Sequence, residues 1–248
     1  MSEGFFSSSS FNIKQLPTIA QCDKCGLYRD CQSPFMKVYG NGLRKILIVG
    51  EAPGKNEDHL GKPFVGKSGE LLRNCLDEYG LDMDIDCWTT NANICRSHDE
   101  KGANRTPTDS EIEYCRPNLF HVIEEKKPET IILLGASAVK SVIGWLWKED
   151  VGAIGRWIGW QIPSHGFNAY ICPMWHPSYL IRQERSNSVE ELIFKTHLKS
   201  SCGLKGRPWK EIPDLKTRIK ISFNTDEVIK EICYFIELGN PIAFDFET

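Results

Sequence analysis

Ile46-Leu47-Ile48-Val49-Gly50-Glu51-Ala52-Pro53-Gly54 decides how this chain is read. Four apolar residues in a row, too few for a helix and rich in β-branched side chains, describe a strand buried on both faces. The strand runs straight into a loop that carries glycine, proline and a carboxylate. Open α/β sheets bind their ligands beyond strand ends of this kind. The loop continues through Glu57-Asp58 to Gly61-Lys62-Pro63-Phe64-Val65-Gly66. Its glycines, Gly54 among them, let the backbone approach a ligand closely, and Phe64 adds a flat apolar face beside the acids. That combination suits a planar, polar ring.

Outward from this stretch the same order recurs. A helix is expected at about 69–79, with Leu71, Leu72, Cys75, Leu76 and Tyr79 on one face. A second strand follows through Cys87-Trp88-Thr89-Thr90. Thr108-x-x-Glu111 is the signature of a capping box and opens a helix carrying Ile112, Cys115, Leu119, Val122 and Ile123, which Pro117 should kink or break. Ile131-Ile132-Leu133-Leu134 is a third strand, and Ala136 to Trp147 its following helix. Residues 156–175 read as shorter strands. Strand–helix alternation predicts an α/β protein with a parallel sheet covered on both faces.

Length and composition set the limits. A chain of 248 residues with 41% hydrophobic residues can bury one sizeable core and begin a second. There is no apolar run long enough to span a bilayer, and the serine-rich N-terminus lacks the pattern of a signal peptide, so a soluble, cytoplasmic protein is expected. A formal net charge of −3 offers nucleic acid no global attraction, which leaves any DNA contact to local patches. Residues 1–20 read as a flexible leader. From Lys195 to Lys220, eight Lys or Arg stand against two acids, broken by Gly203, Gly206, Pro208 and Pro213, and residues 201–220 are assigned to a basic linker. Residues 221–248 hold one amphipathic helix (Val228, Ile229, Ile232, Phe235, Ile236) and one apolar strand, too little to fold alone.

Ten cysteines without a signal peptide point to metal ligation or buried thiols rather than disulfides. Cys22-x-x-Cys25 is one half of a metal motif, and Cys95 and Cys115 flank the loop before the capped helix. A zinc ribbon would supply a second Cys-x-x-Cys. Its absence favours an iron–sulfur cluster, whose thiolates come from scattered positions, with zinc as the alternative and Cys31 as a substitute ligand. Cys75, Cys172 and Cys233 read as small buried hydrophobes.

Taken together, GEAPGKNEDHLGKPFVGKSGELL (50–72), TNANIC (90–95), NRTPTDSEIEYCRP (104–117) and WHPSYLIR (175–182) resemble the iron–sulfur, family 4 uracil-DNA glycosylases. The resemblance covers residues 21–200 and implies a three-layer αβα sandwich with the uracil pocket at the carboxyl ends of the strands. It implies a 4Fe-4S cluster on Cys22, Cys25, Cys95 and Cys115, and base-excision hydrolysis by a monomer on uracil-containing DNA. The chemistry of the residues agrees. An enzyme acting on a paired base must extrude it, and Phe64 would stack on the extruded ring. Asn91 carries both an acceptor and a donor, the complement of uracil N3–H and O4; cytosine presents the reverse. His176, ahead of Pro177, is placed to donate to uracil O2 as negative charge builds on the leaving base. Glu51, Glu57 and Asp58 are candidates to position the attacking water. At the position where the best-known uracil glycosylases place a water-activating Asp, this motif has Ala52. Ser178, Tyr179, Leu180, Ile181 and Arg182 resemble the family's DNA-inserting loop, with Leu180 or Ile181 as the wedge, and Arg96, Lys101 and Arg105 are candidate phosphate contacts. The loop from Arg96 to Ala103 is longer than the family pattern. Related enzymes that trap DNA covalently use a His near its end, where this chain has Asn104; turnover is therefore expected, and His98 alone keeps the covalent route open.

Pro241 to Thr248, with Asp245-x-Glu247 on an apolar strand, resembles the first motif of the proofreading exonucleases attached to family A polymerases. The resemblance implies that residues 221–248 begin such a domain and that the chain is part of a phage-type DNA polymerase. A non-catalytic uracil-sensing or DNA-clamping module is the competing function.

Overall fold

The computed structural model describes residues 19–146, 150–183, 188–211 and 222–239. The expected leader lies almost wholly outside them, as do most of the second half of the linker and the whole exonuclease-like motif at 241–248. The chain divides into two compact units, residues 1–210 and 211–248.

The first unit is built on a five-stranded sheet in the order β2-β1-β3-β5-β4, from β1 (Ile46–Gly50), β2 (Cys87–Asn91), β3 (Thr130–Leu134), β4 (Ile162–Ser164) and β5 (Ala169–Met174). All neighbours are parallel except β4, which pairs antiparallel with β5 at the edge. Side chains alternate across the pleat, so one run of residues feeds two cores. Ile46, Ile48, Ile132, Leu134, Cys172 and Met174 point to one face. Leu47, Val49, Ile131, Leu133, Ala169 and Ile171 point to the other. The first face is covered by α3 (Lys67–Asp77), α7 (Pro177–Arg182) and α8 (Val189–Cys202), which contribute Leu72, Leu76, Leu180, Phe194 and Leu198. The second is covered by α5 (Asp109–Lys126) and α6 (Ala136–Leu146), through Leu119, Phe120, Ile123, Val139 and Val142. This is the α/β sandwich expected. Short helices α1 (Cys22–Cys25), α2 (Lys55–Leu60) and α4 (Met83–Asp86) complete the unit.

The capping box at α5 forms as expected: Thr108 Oγ1 accepts from Glu111 N at 3.2 Å, and a Glu111 carboxylate oxygen accepts from Thr108 N at 2.7 Å. Of the kink or break expected at Pro117, the break does not occur. α5 runs through it, and Pro117 is itself buried. A proline inside a helix costs about 3 kcal/mol. Burying Leu119, Phe120 and Ile123 along the same helix returns roughly 1.5–3 kcal/mol each, so packing wins.

Two other expectations change. Residues 195–202, read as the start of a basic stretch, are the last turns of α8, whose Leu198 and Cys202 are buried; the lysines occupy its outer face. Period-3.6 burial outranks charge counting here. In the second unit the amphipathic helix forms as α9 (Thr225–Glu237), capped by Asn224 Oδ1. Cys233, taken as a buried hydrophobe, is exposed on it, whereas Cys75 and Cys172 are buried as expected.

Candidate active site

Four chain segments reach the carboxyl edge of the sheet and enclose a cleft of about 730 Å³. The turn after β1 supplies Glu51, Ala52 and Gly54; β2 ends in Asn91; Gly135 follows β3; Trp175 and His176 follow β5. Phe64 closes one wall. The site straddles β1 and β3, where the strand order reverses, as open parallel sheets place their ligands.

Convergence is tight enough to dictate glycine at position 50. A Cβ there would lie 2.4 Å from Asn91 Oδ1 and 2.8 Å from Phe64 Cζ. Gly50 and Asn91 are register partners on β1 and β2, which puts the amide directly beside the loop. Phe64 holds a left-handed backbone (φ 55°), uncommon for an aromatic, and is locked from behind by Gly69, whose missing side chain lets α3 abut the Phe64 backbone. Asn91 is 6% exposed, and among the described residues no protein group takes either of its amide atoms.

His176 caps α7. Its Nδ1 accepts from Ser178 N at 3.2 Å and lies 2.8 Å from Ser178 Oγ. A backbone N–H can only donate, so Nδ1 is the unprotonated nitrogen and the ring proton sits on Nε2. Burial, and secondarily the Arg182 charge, holds the ring's pKa down at about 4. The imidazole is therefore neutral at physiological pH, with one defined donor.

The three carboxylates part company. Glu51 lines the cleft and accepts from Ser137 Oγ through Oε2 at 2.9 Å. Glu57 also lines it, but both oxygens are engaged: Oε1 accepts from Gly66 N at 2.8 Å and Oε2 from Gly54 N at 3.1 Å. It ties the two ends of the glycine loop together. Asp58 is outside the cleft lining, 3% exposed, and accepts from the backbone N–H groups of Gln32 and Ser33. It anchors the cysteine-bearing N-terminal segment to α2. Ser137, which sequence reasoning missed, carries no local signal; only the fold brings a residue 86 positions away against Glu51.

Among the DNA-contact candidates, Ser178, Tyr179 and Arg182 line the cleft mouth. Leu180 does not face DNA: it is 6% exposed and packs in the core, because the segment is a helix and successive side chains turn by about 100°. Ile181, 38% exposed, is the residue that faces out. Arg105 is committed to Glu111 in a two-pronged pair at 2.6 and 2.9 Å. Arg96 is buried and donates to Asn104 Oδ1 and Gly102 O, bracing the long loop rather than meeting phosphate. Asn104 lines the cleft; His98 does not, and its ring folds back onto Asp99 O.

A second, small cavity is lined by Cys22, Cys25, Cys95 and Cys115 together with apolar side chains that include Leu27, Phe35 and Ile94. Backbone N–H groups of Phe35 and Ile94 point at the sulfurs of Cys95 and Cys115, each at 3.4 Å. Asn118 Nδ2 adds a contact to Cys115 at 3.5 Å. Burial pushes the Cys115 thiol up to about 11 and also raises Cys25, so these two sulfurs stay protonated unless a cation displaces the proton. Cys95 is raised chiefly by its hydrogen bond with Cys31. Among the described residues no three His, Cys, Asp or Glu side chains meet closely enough for a single metal ion. Thiolates around a multi-iron cluster stand farther apart than those around one ion, and the donor set is all sulfur with N–H groups directed at it. The chemistry of the donor set suits such a group.

Comparison with known proteins follows the same lines. The family model of the uracil DNA glycosylase superfamily matches residues 38–196. The type-4 uracil-DNA glycosylase of Saccharolobus solfataricus is 34% identical over 185 residues, 71% of this chain and 80% of the relative. That of Archaeoglobus fulgidus is 31% identical over 189 residues, covering 75% and 91%. A DNA polymerase of Bacillus phage SP01 is 27% identical over 215 residues, which are 86% of this chain and 22% of the polymerase. With the family model and the type-4 relatives agreeing, and the cleft built where the fold places its ligands, this chain belongs to the uracil DNA glycosylase superfamily.

Proposed function

We propose that the chain hydrolyses the bond between uracil and deoxyribose in DNA. The observation that carries this is the meeting of Phe64, Asn91, His176 and Glu51 in one cleft. The extruded ring stacks on Phe64. Asn91 accepts from N3–H and donates to O4, and cytosine is refused because its reversed pattern leaves two buried groups unpaired. Ala52 and Gly54 line the cleft beside the ring and leave room for it. The C1′–N1 bond breaks with its electron pair moving onto the base, where the Nε2–H of neutral His176 donates to O2 and stabilises the anion. Glu51 holds the water that adds to C1′ and receives its proton, which passes to solvent. Glu57 and Asp58 keep the loop and its flank in shape. Ser178 and Arg182 meet the DNA backbone, and Ile181 fills the gap left by the base.

The family implies a four-iron, four-sulfur cluster, and Cys22, Cys25, Cys95 and Cys115 would hold it; once bound, it would cross-link the N-terminal segment, the loop after β2 and α5. Visible absorbance and iron content should be present in the native protein and lost in Cys95→Ser. The match to a phage polymerase supports attachment to a replicative polymerase, with residues 221–248 leading into a further domain. Primer-extension activity purifying with the native gene product, as opposed to separately from it, tests that attachment. No helix of the described residues is long and apolar enough to cross a membrane. A soluble monomer acting on intracellular DNA fits this reading.

The direct test uses a uracil-containing oligonucleotide followed by alkali. Strand cleavage at the uracil is expected with the native protein, with at least about a hundredfold loss in Asn91→Ala. Binding of the oligonucleotide without cleavage would support the clamping alternative instead.

A further inference from the structure

Of the two acids that line the cleft, Glu57 has both oxygens engaged by backbone N–H groups. Glu51 has one oxygen engaged, and the group that engages it is the hydroxyl of Ser137, 2.9 Å from Oε2. Ser137 is 2% exposed and is not part of the cleft wall; it lies behind Glu51, in the first turn of α6. The turn that delivers it is specified independently. Gly135 has φ 91°, and a Cβ there would come within 3.1 Å of the His176 Cβ, so the chain enters α6 in a fixed direction next to the histidine. A serine at a helix start commonly bonds its own backbone; this one points across the sheet edge to β1's acid.

We propose that Ser137 is the positioning residue for Glu51: its hydroxyl pins Oε2 and so presents Oε1 to the water that attacks the sugar. The physical need is plain. A glutamate has three side-chain torsions, and an unpinned carboxylate at a cleft edge samples several of them. Displacing a reacting group by about 1 Å can cost on the order of a hundredfold in rate. One hydrogen bond from a buried, preformed donor removes that freedom before substrate arrives. Ser137 acts on the rate through Glu51 alone, without touching DNA.

This role rests on the glycosylase reading above, and a thermodynamic cycle separates the two. Single-turnover and steady-state kinetics on a uracil-containing oligonucleotide would compare the native protein with Ser137→Ala, Glu51→Gln and the double variant. Ser137→Ala should lower kcat about 10- to 100-fold with KM changed less than about twofold, and Ser137→Thr, which keeps the hydroxyl, should recover most of the loss. In the Glu51→Gln background, Ser137→Ala should cause no further loss. A native-like kcat in Ser137→Ala would overturn the proposal. So would a loss of equal size in both backgrounds, the result expected if the hydroxyl merely supports the core. Thermal melting of each variant identifies any that fails to fold, and Ser137→Thr then carries the comparison. Absence of uracil release by the native protein would instead remove the glycosylase reading and this role with it.

Discussion

His176 shows how much one side chain's surroundings decide. Its pKa falls from an ordinary 6.5 to about 4 because the ring is buried and faces the Arg182 charge. The unfolded chain takes up the proton as pH drops through 6.5, while the folded protein refuses it until about 4. Stability from this group is therefore undiminished above pH 6.5 and is lost progressively as pH falls towards 4, by about 3 kcal/mol in the limit. Urea denaturation of the native protein and of His176→Gln, compared from pH 7 to pH 4, should show that difference in slope. Parallel curves would mean the ring titrates normally and is not the neutral donor described. The motif around His176 was legible in the sequence, because Pro177 and Ser178 fix the cap locally. The protonation state was not, since it depends on burial by segments distant in the chain. The same distinction separates the acids. Glu51, Glu57 and Asp58 look alike within eight residues of sequence. Only the folded chain shows one facing the cleft, one lashing a loop and one buried under Gln32 and Ser33.

Secondary elements carried most of the information that the sequence made available. The apolar runs at 46–49 and 131–134 could be nothing but central strands, and the capping box fixed the start of α5 to the residue. What escaped was orientation. Leu180 and Ile181 are adjacent and equally apolar, and choosing the wedge requires knowing that 177–182 is a helix packed against α3. Leu180→Ala should cost about 2–5 kcal/mol of stability, as a buried leucine does. Ile181→Ala should leave stability within about 0.5 kcal/mol and weaken binding to uracil-containing duplex. Equal effects of the two on melting temperature would contradict the assigned orientation. Pro117 escaped for a related reason. Its local penalty is real, but the apolar face that α5 buries is a property of the whole helix.

At the scale of the molecule, the sheet delivers its site by topology. Parallel strands present four carboxyl ends to one edge, and the loops that leave them converge because the strand order reverses between β1 and β3. Asn93 lines the cysteine cavity and Asn91, two residues before it, lines the cleft, so the end of β2 and the stretch after it border both. Every residue assigned a role in catalysis lies within the first compact unit, residues 1–210. In the proposed reaction an aromatic wall, an amide and a neutral imidazole surround one extruded uracil. A crystal structure of the protein with free uracil tests it most directly. The ring should lie against Phe64, with N3 and O4 at the Asn91 amide and O2 at His176 Nε2. Uracil bound elsewhere, or inverted so that O2 faces Asn91, would contradict it.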